Sequence, residues 1–511
     1  MATINGTSGS DFIQGSSAAN MIFGLAGDDT LVGGAGNDTL DGGVGNDLML
    51  GSMGNDVFLV DSAGDVCTEL PGEGEDTVFA SVSYQMVPNI EIGRLVGGGT
   101  NLSAAANGGN PVQLFVNPSV ASTLLGGTGD DVLWGGFDGS TISGLGGRDS
   151  IHDQNAQTFM LGGLGDDQYF VGNIASVVSE NAGEGTDTVW VTVNGYAASD
   201  NVEITRLGGT ATTVSGANTD DQVVANPLFG SMVYGRNGND TLSGSTFSDL
   251  LDGGAGNDSI SADTGNDTLI GGAGNDTLNG GEGFDTAVFD ANPGTLRIRE
   301  AGGGALTVEG GPLGIDRLIG VEGIQTQDGM VTLQADLTGL FRASVAGDSY
   351  LLLGRAYVGP VAGLQRELFG SEANEVFGGT GGNDFINLFA GDDAANGGAG
   401  NDVIDGGLGS NFLVGGAGKD TFFSDGRGGG VTWTTITDWE AGEQLSVFGW
   451  RPGISRVLWL DQDGVGAFRG VTMHGDLNGD GVFDTSVTWS GLTRAALPTP
   501  LEFDGLLWFI G

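Results

Sequence analysis

Basic residues are scarce in this 511-residue chain: there are 16 Lys and Arg in all, a single lysine (Lys419), and none before Arg94. Set against 65 acidic residues, they leave a formal net charge of -49. A surplus of that size repels nucleic-acid phosphates and anionic lipid headgroups and argues against either as a partner. The start, Met-Ala-Thr-Ile-Asn-Gly, has neither the basic residues nor the apolar stretch of a secretory signal peptide. No run approaches the roughly 18 to 20 apolar residues of a membrane span. The one cysteine, Cys67, has no second thiol with which to form an intramolecular disulfide and is expected as a small buried apolar residue. The two histidines, His152 and His474, are far apart and outside any HExxH, and no serine lies in GxSxG, so the zinc-protease and lipase signatures are missing. His152 is expected as a surface side chain.

What is present is glycine and aspartate in a fixed frame. There are 101 glycines but only 11 prolines and no three-residue period, which excludes collagen. The 39% apolar content is too high for a disordered acidic chain. Written in nines from Gly6, the sequence reads GTSGSDFIQ, GSSAANMIF, GLAGDDTLV, GGAGNDTLD, GGVGNDLML, GSMGNDVFL. Position six holds Asp11, Asn20, Asp29, Asp38, Asp47 and Asp56; position eight holds Ile13, Ile22, Leu31, Leu40, Met49 and Phe58. From Gly126, position six carries Asp131, Ser140, Asp149, Thr158 and Asp167. From Gly235 it carries Asp240, Asp249, Asp258, Asp267, Asp276 and Asp285, and from Gly370 Glu375, Asp384, Asp393, Asp402, Asn411 and Asp420.

This frame resembles the RTX (repeats-in-toxin) proteins, whose nonapeptide is GGxGxDxUx; GGAGNDTLD from Gly33 and GGAGNDTLN from Gly271 match it at every defined position. The resemblance implies a parallel β-roll in which each nonapeptide is a turn plus a short strand, two make one coil, and turns on one edge recur every 18 residues, as Asp11 and Asp29 do. The residue types suit that reading independently. Glycine tolerates the left-handed, crowded backbone of a tight turn. Aspartate gives Ca²⁺ the hard anionic oxygen it prefers. One large apolar side chain per half-coil fills the space between two sheets.

The same rule sorts the ligands. Edges Asp11, Asp29, Asp47 and Asn20, Asp38, Asp56 are both loaded in the first block, as are Asp240, Asp258, Asp276 and Asp249, Asp267, Asp285 in the third. The second block has Asp131, Asp149, Asp167 on one edge but Ser140 and Thr158 on the other, where calcium is not expected. In the fourth, Asp384, Asp402 and Asp420 form the better edge, and Glu375, Asp393 and Asn411 a poorer one. A separate acidic loop, Asp476, Asn478, Asp480 and Asp484, suits one Ca²⁺ or a solvated β-turn; the EF-hand glutamate is absent, its place being held by Val487.

The expected fold is all-β, with four short parallel β-roll blocks, β-rich inserts and a C-terminal β cap. The boundaries are roll 1–60, insert 61–124, roll 125–171, insert 172–225 duplicating the first, roll 226–288, connector 289–369, roll 370–423 and cap 424–511. The stretch 349–368 allows a short helix interrupted by Pro360, either capping the fourth roll or binding a partner. The end, from Glu502 and Asp504 through Leu-Leu-Trp-Phe-Ile, resembles the uncleaved signal read by the one-step ATP-driven exporter of RTX proteins, and a final β-strand reads the same. The expectation for function is therefore a secreted or cell-surface, non-enzymatic chain exported without an N-terminal signal. It folds on multiple Ca²⁺ and self-associates as a surface-layer or matrix subunit, with an adhesin or binder of cell-surface polysaccharide as the alternative.

Overall fold

The computed structural model describes residues 1–292, 295–310, 313–327, 329–333, 340–345, 348–359, 361–426, 432–464, 466–503 and 506–510. Pro360 and Asp504 lie outside the described residues. The chain forms two compact units, Met1–Gly283 and Phe284–Gly511.

The position-eight residues fold inward as their spacing requires. Ile22, Leu31, Leu40, Met49 and Phe58 are fully buried, while their strand neighbours face outward or are only partly covered. Burying one such side chain stabilises the coil by about 1.5–3 kcal/mol, and stacking repeats that gain along the axis. In the first unit one face is a continuous parallel ladder that starts at Ala2–Asn5, passes through Asn20–Phe23, Thr39–Asp41 and Val57–Val60, and ends at Thr277–Asn279. The opposing face is broken. Parallel strands from Phe12–Gln14 stop at Val66–Thr68, a second set runs from Tyr84–Gln85 to Val177–Val178, and a third from Tyr196–Ala197 to Thr268–Ala273.

The stretches 61–124 and 172–225, expected as β inserts between rolls, are β and carry the same parallel ladder as further coils. Thr77–Ala80 pairs with Ile92–Leu95, which pairs with Gln113–Phe115, and Thr188–Val191 pairs with Ile204–Leu207. What changes is the length of the coil. Equivalent residues are 20, 15 and 19 apart at Asp56 to Asp76, Asp76 to Glu91 and Val112 to Asp131, against 18 in the nonapeptide blocks. The core tolerates this because column residues adjust: at Gly93 the inward space is filled by Met86 and Leu102, whose atoms a Cβ would meet at 2.5 and 2.8 Å.

The second unit opens with antiparallel strands, Arg297–Gly302 against Ala305–Glu309 and Leu340–Val345 against Asp348–Leu353. The segment expected to allow a helix is strand instead, Asp348–Leu353, Arg355–Ala356 and Arg366–Phe369, taken up in antiparallel pairing of Asp348–Leu353 with Leu340–Val345 and of Arg355–Ala356 with Arg366–Phe369. A parallel roll follows from Arg366–Phe369 through Asp384–Asn387, Val403–Asp405 and Thr421–Asp425 to Gln444–Phe448. It is closed by antiparallel strands Arg456–Asp463, Gly470–Asp476 and Thr485–Ser490. The C-terminal Leu506–Ile510 pairs antiparallel with Gln444–Phe448 and buries Leu507 and Phe509. Trp439, Trp459, Trp489 and Phe509 meet ring to ring there, at centroid distances of 5.1–6.1 Å.

Candidate metal centre

The glycine-rich turns bring each position-six carboxylate against the next coil. A Cβ on Gly33 would stand 2.6 Å from Asp38 Oδ2 and 2.7 Å from the Gly51 carbonyl oxygen, so only glycine leaves room for the carboxylate. Gly36, at φ 101°, turns the chain through the left-handed region. One aspartate oxygen is then used in a ladder. Asp11 N–H donates to Asp29 Oδ1 at 2.6 Å, Asp29 to Asp47 at 2.7 Å, Asn20 to Asp38 at 2.6 Å and Asp38 to Asp56 at 2.6 Å. The pattern recurs from Asp131 to Asp149 and Asp149 to Asp167, at 2.8 and 2.7 Å. It returns from Asp240 to Asp258, Asp258 to Asp276 and Asp249 to Asp267, at 2.7–2.8 Å. In the fourth block Asp384 donates to Asp402 and Asp402 to Asp420, both at 2.8 Å.

The second oxygen tells more. Oδ2 of Asp29, Asp38, Asp47, Asp56, Asp149, Asp167, Asp240, Asp258, Asp393, Asp402 and Asp420 is buried and accepts no hydrogen bond. An unpaired charge in such a place is strongly unfavourable, and a buried carboxylate either takes a proton or holds a cation. Burial pushes Asp149 up to about 8 and Asp167 and Asp402 to about 7, and neighbouring carboxylates push the same way against the ladder amides. Columns of hard oxygens, with carbonyls beside them, fit Ca²⁺ in donor chemistry.

The two exceptions behave as their residues dictate. Ser140 and Thr158 are buried on an edge closed by hydroxyls: Ser122 N–H donates to Ser140 Oγ and Thr158 N–H to Ser176 Oγ, both at 3.2 Å. On the poorer fourth edge Glu375 N–H donates to Asp393 Oδ1 and Asp393 N–H to Asn411 Oδ1, at 2.8 and 3.0 Å. Asp285, in the second unit, donates its N–H to Glu322 Oε2 at 2.9 Å. The loop Asp476, Asn478, Asp480, Asp484 does draw together, but on its own amides. Asp476 accepts from Gly479 and Gly481 at 2.6 and 3.0 Å, Asp484 from Leu477 at 2.7 Å, and Asp480 from Val482 at 2.8 Å.

The profile of the RTX calcium-binding nonapeptide repeat matches residues 3–31, 23–58, 121–151, 234–269, 256–287, 369–404 and 389–422. The chain carries RTX calcium-binding nonapeptide repeats. No curated protein matches it. Among solved structures it is similar to the extracellular lipase LipA from Serratia marcescens at 14% identity, over 60% of this chain and 43% of that one, with a TM-score of 0.18. The chain thus spans less than half of that lipase's length.

The RTX ladder extends beyond the repeats that its motif marks. Asp47 donates to Asp65, Asp56 to Asp76, Asp167 to Asp187 and Asp221 to Asp240, and Asp76 and Asp187 donate to Glu91 and Glu203, at 2.7–3.0 Å. Two buried trios stand out, Asp56 with Glu69 and Asp76, and Asp167 with Glu180 and Asp187. In each, one oxygen from every carboxylate lies within 4.8 Å of the others. A signal for them was in the sequence. The octapeptides from Glu69 and from Glu180 both read E-x-x-G-E-G-x-D, ending on Asp76 and Asp187, at the two places where the longer repeat realigns.

Both histidines are packed among neighbouring side chains. His474 bonds Ser486 Oγ through Nδ1 and Asp463 Oδ2 through Nε2, both at 2.8 Å, which brings together a serine, a histidine and an aspartate. Ser486 is only 1% exposed on an inner strand, so no substrate carbonyl reaches its hydroxyl. His152 is half-buried rather than a free surface side chain. It is stacked between Trp134 and Phe170 at 4.0 and 4.2 Å, in a ladder that continues to Phe115 and Trp190 and has Arg94 over the Phe115 ring. The outward position nine of successive coils faces itself, which a reading in single nonapeptides does not show.

Proposed function

We propose that this is a secreted, non-enzymatic chain that binds several Ca²⁺ ions along its aspartate edges, folds and rigidifies on them outside the cell, and serves as a structural surface-layer or matrix subunit. The observation that carries the reading is the set of buried aspartates, each with one oxygen in the ladder and the other unpartnered. Without metal these carboxylates repel one another along each edge, and the glycine-rich chain has much conformational entropy to lose. With metal, ligation free energy becomes folding free energy. Extracellular calcium modules bind at about 10⁻⁴ to 10⁻³ M, far above cytosolic calcium, so the chain stays unfolded and exportable inside and folds outside. The C-terminal strand is the proposed export signal, released to the exporter while the chain is unfolded. No described helix is long and apolar enough to cross a membrane.

Light scattering and electron microscopy of the calcium-loaded protein test the structural role. Lattices or filaments growing with calcium are expected, and particles that stay monomeric overturn it. A second reading, binding of cell-surface polysaccharide, is favoured by one feature. The outward aromatic ladder ends at Trp190, which with Arg206, Asn226 and Thr246 lines a cavity of about 460 Å³. Monomeric particles retained on a polysaccharide column, and released by Trp190→Ala, would favour that role.

A further inference from the structure

We propose that Asp56, Glu69 and Asp76, and again Asp167, Glu180 and Asp187, form two three-carboxylate calcium sites where the broken face of the first unit is interrupted. Glu69 follows directly on Val66–Thr68, and Glu180 follows Val177–Val178 after Ser179; these are the last strands before each break. There the ladder spacing stretches from 18 to 20 residues, at Asp56 to Asp76 and at Asp167 to Asp187. The extra length forms a wider turn through Gly72 and Gly183, at φ 79° and 81°, and carries the glutamate to the edge on which Asp56 and Asp76, or Asp167 and Asp187, stand.

Independent observations point to a ligand rather than to a chance gathering of acid. Glu69 is 5% exposed, and neither of its carboxylate oxygens accepts a hydrogen bond. Glu180 is 8% exposed; its Oε1 accepts from Gly162 N–H at 3.0 Å, and its Oε2 accepts nothing. Oδ2 of Asp56 and of Asp167 is likewise buried and unpartnered. Space is kept for this convergence: a Cβ on Gly51 would run into Glu69 Oε1 and stand 2.5 Å from Asp56 Oδ2. The arrangement also occurs twice, with each member of the second trio 111 residues beyond its counterpart. The donor set is all oxygen, three carboxylates can supply up to six ligand atoms, and a formal charge of -3 is more than a divalent ion neutralises, which suits calcium or a trivalent lanthanide. An ion here would tie the last strand of one set to the continuous face at the point where its own ladder ends.

The proposal rests on the calcium reading of the repeats only for the identity of the ion, and the test separates the two. The full chain, stripped with chelator, is titrated with CaCl₂ in a calorimeter as wild type, E69Q, E180Q, the double variant, and E75Q as an exposed control. One ion fewer is expected for each single variant, two fewer for the double and none for E75Q. Unchanged stoichiometry in E69Q and E180Q overturns the proposal while leaving the repeats as calcium sites, and a wild type that binds no calcium overturns both. Thermal unfolding guards against a folding defect. Melting temperatures are compared over a calcium series from the lowest concentration that supports folding up to saturation: E69Q and E180Q are expected to gain less than wild type for each tenfold rise in calcium, and a lower melting temperature with the full wild-type gain means that the glutamates are only structural.

Discussion

The roll at 125–171 has two edges on the same coils, and they close in different ways. On one, Asp131, Asp149 and Asp167 pass an amide hydrogen bond from coil to coil and leave Asp149 and Asp167 with a buried, unpartnered oxygen. On the other, Ser122, Ser140, Thr158 and Ser176 use hydroxyls in that place, and the spare proton finds a carbonyl: Thr158 Oγ1 donates to Ala156 O at 3.1 Å and Ser122 Oγ to Val120 O at 2.9 Å. The core between them is shared, with Leu133, Ile151 and Tyr169 from one sheet and Ile142 and Met160 from the other, all fully buried. The coil geometry therefore does not itself demand a cation. Under the proposed calcium-dependent folding, aspartate makes folding conditional on one, and a hydroxyl edge is self-sufficient.

Removing calcium is the largest way to stress this difference. Each site filled at 100 times its Kd adds about 2.7 kcal/mol, so emptying several exceeds the 5–15 kcal/mol by which domains are usually stable. Chelation is expected to abolish the cooperative melting transition followed by circular dichroism. Next in size is the shared core. Ile151→Ala and Met160→Ala should each lose about 2–5 kcal/mol in urea unfolding at saturating calcium, whichever edge lies beyond them. Asp149→Asn keeps the ladder acceptor but removes the charge. A loss of about 2–3 kcal/mol at saturating calcium, shrinking as calcium falls towards the lowest concentration that supports folding, is expected from melts across a calcium series. Ser140→Asp should do the reverse, costing about 1–3 kcal/mol at that lowest calcium, the desolvation penalty of a poorly paired polar group. An effect of Asp149→Asn that is the same at every calcium concentration would erase the distinction between the edges.

Acidity sharpens the contrast further. Asp149 and Asp167 rise from an ordinary 3.8 to about 8 and about 7 because burial disfavours their charged forms. The metal-free fold then binds more protons than the unfolded chain, so its stability is present below about pH 4 and is lost as pH rises towards 8. Calcium binding requires those protons to leave and should strengthen over the same window. In chelator the β-structure seen by circular dichroism should decline as pH rises from 4 to 8, while at fixed calcium the melting temperature should rise over the same window; parallel trends would contradict this assignment of the buried carboxylates.

The columns were legible in the sequence because each residue type has one job at a fixed interval. Position six gave the ladder and position eight the core, down to Phe58 and the hydroxyls of Ser140 and Thr158. Coils that lack the nine-residue frame were not legible as coils. Gly93 stands where a large core residue is expected, and Met86 fills its place from just beyond the strand Tyr84–Gln85, a substitution visible only in three dimensions. Glu69 and Glu180 were hidden for a related reason, since a glutamate seven residues before its aspartate reaches the edge only after the turn lengthens. The segment near 349–368 misled because absence of turn residues marks a long strand as well as a helix.

The most direct test of the central claim is a calcium titration of the chelator-stripped full chain followed by far-UV circular dichroism. A cooperative passage from coil to β-structure near millimolar calcium is predicted. A chain that shows full β-structure in chelator, or that stays coil at saturating calcium, would contradict it.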